Sequence, residues 1–370
     1  QRPAIATPAS APVSSPRARF FEIIVQERVF LSLLLVGFLV SALTFRTPVL
    51  AMWFGFAVAG YSAVANDSIQ TIGTFIASNR NQKWWILWLF IGGIFLATVT
   101  YSFVTYQGDV TFERLAAKGF DTAPTSFSYL QVAAPLFLLV LTRLRMPVST
   151  TFLLLTSFAT EASGVGDMLT KSLAGYGVAF GVSIAVWLLL AKRFDAWFQG
   201  EAHPAWRVAQ WITSGVLWSV WIMQDAANIA VYLPRQLGWG EFAGFALLVF
   251  LGLGVLFKLG GERVQEVVDE KSGVVDVRAA TMIDLVYVAI LYYFKNVSNV
   301  PMSTTWVFVG LLAGRELAMA LRKSSDRSFK EALRLMGRDV FYVTIGLVVS
   351  VIIAYAVNDS FRAQVAGYFE

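Results

Sequence analysis

A chain of 370 residues that is 57% hydrophobic and 14% charged, with a mean hydropathy of +0.63, is too apolar for a soluble protein of this size and reads as a polytopic membrane protein. It has no cysteine and one histidine, His203 beside Pro204, which excludes disulfides, thiolate metal sites and any Ser-His pair, so neither an enzyme nor a resident cofactor is expected. The formal charge of +5 is scattered over many short loops, as topology signals are, so membrane lipid and not nucleic acid is the expected neighbour.

Residues 1–27 form a tail, rich in Ala, Pro and Ser over its first 19 residues, that reads as disordered and cytoplasmic and lacks the apolar core of a secretory signal. Residues 28–46 hold an extra first transmembrane helix, whose need for a packing partner makes a homodimer plausible. The first half, 47–192, predicts helices over about 48–79, 84–106, 128–142, 147–166 and 171–191. A cytoplasmic linker at 193–205 follows. The second half, 206–358, predicts helices over about 206–237, 241–258, 282–294, 301–321 and 340–357, with a C-terminal tail at 359–370. Two connections, 260–278 and 322–338, read as amphipathic segments on the membrane surface.

The two halves carry the same pair of motifs. Asn66-Asp67 precedes Pro147-Val148-Ser149-Thr150-Thr151, and Gln224-Asp225 precedes Pro301-Met302-Ser303-Thr304-Thr305. Asp225 follows Asp67 by about 158 residues and Ser303 follows Ser149 by about 154, so the halves keep register as an internal duplication. Five crossings per half is an odd number, which inserts the second half upside down relative to the first. With a cytoplasmic N-terminus, about 21 Lys and Arg fall inside against about 7 outside, as the positive-inside rule requires. The expected fold is an all-α polytopic membrane protein of two inverted-topology repeats, about five transmembrane segments each, plus one extra N-terminal helix. The motif segments are broken helices, either spanning or re-entrant.

Pro followed by Ser-Thr-Thr starts a helix: proline tolerates the first turn, and the hydroxyls cap free backbone amides. Two such starts approaching from opposite sides present N–H groups, hydroxyls and positive dipole ends, which suits a tetrahedral oxyanion without any arginine. Asn66, Asp67 and Gln70 share one helical face, as do Gln224, Asp225 and Asn228. Carboxylate with amide oxygen suits a small hard cation such as sodium, and a lone carboxylate can instead take a proton. Two like charges about 6 Å apart at an effective dielectric near 20 repel by roughly 3 kcal/mol. A cation or proton at each Asp removes that repulsion, which couples anion and cation occupancy. The competing reading gives each Asp a structural bond to a neighbouring helix. Glu161 and Arg315 occupy equivalent places beyond the two Ser-Thr-Thr elements and are gate candidates, while Glu316, Asp284 and Lys295 are further charges at membrane depth.

These residues resemble the inorganic phosphate transporter (PiT) family, through VANDSIQTIGT and MPVSTTF in the first half and MQDAANIA and VPMSTTW in the second. The resemblance implies a cation-coupled symporter of phosphate or a related oxyanion, with sulfate in some relatives and Na+ or H+ as the driving ion. It maps the family's signature aspartates to Asp67 and Asp225; Gln70 and Gln224, where the chain departs from the family's amides, join them at the cation on the carboxylate-and-amide argument above. It assigns Ser149, Thr150, Thr151, Ser303, Thr304, Thr305, Asn66 and Asn228 to the anion. The chain departs from the family where His after Ser-Thr-Thr becomes Phe152 and Trp306, and where the signature's leading glycine is missing. A divergent member in a bacterial inner membrane is expected. The alternatives are a sulfate permease of the same fold and a non-transporting, anion-sensing subunit.

Overall fold

The computed structural model describes residues 27–117, 119–144, 146, 148–190, 193, 199–260, 276–322 and 328–367. The expected tail over 1–26, Pro147 and most of the 260–278 segment lie outside them. Among the described residues there is no strand. Seven helices are long and apolar enough to cross a membrane, over Pro48–Asp67, Trp84–Thr105, Ala162–Leu189, Trp239–Leu259, Val277–Val297, Thr304–Leu321 and Phe329–Val357, so this is a multi-pass membrane protein.

Hydrogen bonds between helix termini define two ends of the bundle. At the near end Arg143 pairs with Glu27 at 2.6 Å, and Asn79 donates to Gln210 at 2.9 Å. At the far end Leu237 N donates to Gly108 O at 2.9 Å, Thr160 N to Gly119 O at 2.8 Å, and Asn358 Nδ2 to Ala159 O. Helix α1 (Arg28–Thr44) runs from near to far, and α2 (Pro48–Thr71) with α3 (Gly73–Ser78) returns. Helix α4 (Trp84–Thr105) goes out again and α5 (Tyr129–Arg143) comes back. Ser128 and Gln131 form a capping box at the start of α5, satisfying two free amides.

The chain then recrosses through Val148 and Ser149, which lie in no regular element, and a short helical stretch ending at Phe158. Helix α6 (Ala162–Leu189) descends from far to near, α7 (Ala205–Ala230) rises, α8 (Trp239–Val255) descends and α9 (Val277–Val297) rises. An extended stretch, 298–303, leads into α10 (Thr304–Leu321), which runs to the near end. Helix α11 (Phe329–Val357) rises to a short α12 (Asp359–Ala366).

Side chains sort by surroundings, with lipid as the outer solvent. On α1, Leu34, Gly37 and Ser41 face inward, whereas Leu33, Leu35 and Leu43 are exposed. Helix α7 is too polar to count among the seven because its polar residues, Gln210, Ser214, Gln224, Asp225 and Asn228, all point into the bundle. Helices α6 and α10 run side by side at very close range. A Cβ on Gly310 would meet Tyr176 O at 2.5 Å and one on Gly314 would meet Phe180 O at 2.4 Å, so only glycine allows this approach. Ser183 Oγ adds a 2.7 Å bond to Leu311 O across the same seam.

Four expected boundaries need correction. The helix expected over 48–79 breaks at Ile72. The segment expected over 147–166 stops at Phe158, and α6 starts at Ala162, absorbing the helix expected over 171–191. Gly164 and Gly166 do not interrupt α6, because a lipid-exposed helix keeps its backbone bonds internal. The helix expected to reach 237 ends at Ala230, four residues before Pro234. The closing helix starts at Phe329, not near 340. Ser328 and Glu331 form a capping box there, so the apolar residues read as a surface segment are its first turns.

Candidate functional site

Both Ser-Thr-Thr elements begin helices in the middle of the bundle. Ser149 Oγ accepts from Phe152 N at 3.1 Å, and Ser303 Oγ accepts from Trp306 N at 3.3 Å, so each serine is an N-cap. After Ser149 the turn widens to a π-helix over Thr151–Leu155 and then tightens to a 3-10 turn over Thr156–Phe158. Such irregular turns recur where a helix serves a site. After Ser303 the helix is regular for 18 residues.

The two starts are joined by a reciprocal exchange. Thr151 Oγ1 donates to Met302 O at 3.2 Å, and Thr305 Oγ1 donates to Val148 O at 3.2 Å. In each case the last threonine of one motif reaches the residue just before the serine of the other. The aspartates close the cluster. Thr150 Oγ1 donates to Asp67 Oδ2 at 3.0 Å, and Thr151 Oγ1 lies 3.2 Å from Asp225 Oδ1, so its one proton serves either Asp225 or Met302 O. Asn228 Nδ2 lies within bonding range of Asp225 Oδ1 (2.6 Å), Thr150 Oγ1 (2.9 Å) and Thr151 Oγ1 (3.2 Å). Asp67 and Asp225 are thus linked through Thr150 and Asn228 alone.

Asn66 Nδ2 reaches Asp67 Oδ1 at 2.7 Å and Val148 O at 2.8 Å, while its Oδ1 accepts from Thr142 at 3.1 Å. Gln224 donates to Leu291 O at 3.0 Å, and Tyr287 OH donates to Thr304 O at 3.0 Å. All twelve expected anion- and cation-site residues are at most 6% exposed, so this conformation closes the cluster from both ends. The space beside Asp225, between Trp218, Trp221, Ala63 and Phe95, is about 20 Å³, room for about one water. A cavity of about 460 Å³ at the far end, beside Asp109, Glu113 and Arg235, holds none of the motif residues.

Buried atoms without hydrogen-bond partners reveal what the cluster still needs. Gln70 Oε1, Gln224 Oε1 and Asn228 Oδ1 are acceptors with no donor, and Asp225 Oδ2 makes no well-formed bond although the Thr304 hydroxyl is within reach of the carboxylate. Amide oxygens left without donors, within a turn of two carboxylates, are of the ligand type that a hard cation takes. Thr304 Oγ1, which faces Asp225 without a well-formed bond to it, and Trp306 Nε1, which has no acceptor, stand on the first turn of α10.

Sequence reasoning missed Arg114. It sits in the connection between α4 and α5, is 1% exposed, and donates to Ser298 O (2.5 Å), Lys295 O (3.1 Å) and Met223 O (3.4 Å). Burial lowers its guanidinium to about 10, with Asp225 acting the other way, so it stays charged at neutral pH. Lys171 Nζ holds the same stretch, bonding Ser298 O at 2.9 Å and Val300 O at 2.7 Å. The two cations anchor the extended strand before Ser303, and Arg114 ties it to the residue preceding Gln224-Asp225. No sequence signal marks this, since all its partners are main-chain carbonyls. Replacing Arg114 with Met should cost about 3 kcal/mol by orphaning those carbonyls, seen as a lower melting temperature in detergent. An unchanged melt would mean that water already satisfies them.

The gate candidates are not brought together. Glu161 is the N-cap residue of α6, whereas Arg315 follows Gly314, which rests on Phe180 and Ser183. That places them roughly 30 Å apart along α6, at its 1.5 Å rise per residue. Arg315 pairs with its neighbour Glu316 at 2.8 Å. Comparison with protein-family models, curated proteins and solved structures gave no match to this chain.

Proposed function

We propose that the protein is a secondary active transporter that moves inorganic phosphate or a related tetrahedral oxyanion together with Na+ or H+. One observation carries the reading: the reciprocal bonds from Thr151 to Met302 O and from Thr305 to Val148 O. Equivalent residues of two similar halves exchange equivalent bonds, as a pseudo-twofold axis through the membrane interior requires. The opposite courses of the two motif segments agree with inverted repeats. The first crosses near to far and the second far to near, each helical after its serine. On this reading both segments span as broken helices and are not re-entrant hairpins. The near end is cytoplasmic, as the distribution of Lys and Arg requires.

The cation is held by Asp67 and Asp225 with the amide oxygens of Gln70, Gln224 and Asn228. The anion is held by the hydroxyls and amides at the two helix starts, with Thr304 Oγ1 and Trp306 Nε1 as donors in reserve. Binding both together removes the repulsion between the carboxylates and the anion, which makes their occupancies mutually favourable. Radiolabelled phosphate uptake into proteoliposomes, with sulfate as competitor and Na+ or proton gradients imposed in turn, tests the proposal. Gradient-driven uptake is the expected result. Its absence from correctly folded protein with either gradient and either anion would refute the reading.

A further inference from the structure

Asp284 is a buried carboxylate that the proposed site does not use. It lies on α9, 1% exposed, where α3, α7 and α9 meet. Thr74 Oγ1 of α3 donates to its Oδ1 at 2.8 Å, and Ser214 Oγ of α7 donates to its Oδ2 at 2.5 Å. Both partners are neutral. A carboxylate at this depth without a basic partner leaves a charge that the protein itself does not balance.

A chain of hydrogen bonds leads to Asp284 from the near end. Trp211 Nε1 donates to Asn79 Oδ1 (3.0 Å), Asn79 Nδ2 to Gln210 Oε1 (2.9 Å), Gln210 Nε2 to Ser214 Oγ (3.1 Å), and Ser214 to Asp284. Every donor in this chain points toward the carboxylate, so the dipoles reinforce one another. Two of the links are side-chain amides, which have no proton to pass on, so the chain is not a proton wire.

The ligand set is oxygen. Hydroxyls, unlike N–H groups, can rotate their proton away and become ligands, so Thr74 and Ser214 can turn from donating to Asp284 to sharing a cation with it. Position adds a further argument. Tyr287, one turn along α9 from Asp284, donates to Thr304 O at the start of α10. Asp284 therefore stands between the central cluster and the near end. The feature belongs to one half only: at the offsets relating the two motif pairs, Ser214 corresponds to Phe56 and Asp284 to Leu130. On the far side of the cluster the way is filled by Tyr232, stacked on Phe127 and edge-on to Phe158.

We propose that Asp284, Thr74 and Ser214 form a separate binding site for a small monovalent metal cation, a station between the central cluster and the near end of the bundle. This rests on the cation-coupled reading, and it concerns binding, not flux. Equilibrium binding of radiolabelled Na+ to the purified full-length protein tests it. Asp284→Asn should lower the number of Na+ bound per protein by one, and Thr74→Val with Ser214→Ala, which keeps the charge, should weaken that Na+ by about tenfold. The double variant decides the matter if Asp284→Asn fails to fold. The same number and affinity in the folded variants would overturn the inference. So would a wild type whose bound Na+ is wholly removed by Asp67→Asn with Asp225→Asn. Absent flux with the Asp284-dependent Na+ intact would instead refute the transport reading alone.

Discussion

Asp225→Asn should abolish coupled uptake while leaving a protein at least as stable as the wild type. The amide keeps an oxygen for Thr151 and Asn228 and nearly the same volume, so packing is preserved. What disappears is a unit charge worth about 4 kcal/mol to a cation 4 Å away at an effective dielectric of 20, or roughly three decades of affinity. In the ion-free protein that same charge is a burden, because Asp225 is 2% exposed and its hydrogen-bond partners Thr151 and Asn228 are neutral. The two consequences have opposite signs, and thermal melting beside proteoliposome uptake reads both. Uptake at wild-type level would remove Asp225 from the mechanism. A collapsed melt would recast it as a structural residue.

Gly314→Ala should destabilise the protein by about 1–3 kcal/mol, a large effect for one methyl group. The added Cβ lies 2.4 Å from Phe180 O and 2.9 Å from Ser183 Cβ, and a main-chain oxygen cannot swing aside as a side-chain terminus can. The whole of α10 must then move off α6, and the helix start at Ser303 moves with it. Gly337→Ala is the contrasting case. Nothing lies within 4 Å of its Cβ on exposed α11, so it should be neutral or stabilise by up to about 1 kcal/mol. Melting curves of the two variants in the same detergent separate close helix contact from a general intolerance of alanine. Equal melts would show that the α6–α10 seam gives way at no cost.

The central cluster was legible in the sequence because carboxylates, amides and hydroxyls inside apolar runs must satisfy one another, and their repetition at a fixed offset shows which ones do. Boundaries were less legible. Phe158 ends a helix with neither proline nor glycine at the break, because the stop is made by distant partners: Gly119 O binds Thr160 N, and Asn358 binds Ala159 O. The start of α11 could have been found, since Ser328 and Glu331 stand at capping-box spacing directly before an apolar run. The gate candidates Glu161 and Arg315 stand far apart because equivalence in sequence gives equivalent places, not adjacent ones. Arg114 was invisible for a different reason: three carbonyls from two distant segments define its role, and carbonyls have no letter in a sequence.

The reciprocal bonds between the motifs also bear on how the protein is made. Thr151 finds Met302 O, and Val148 O receives Thr305, only after some 154 further residues have left the ribosome, roughly 8–30 s at usual rates of synthesis. During that interval the first half sits in the bilayer with Thr150 and Thr151 lacking their later partners, Asn228, Asp225 and Met302. A membrane protease or chaperone would meet the chain at its most polar then, before the second half arrives to cover it.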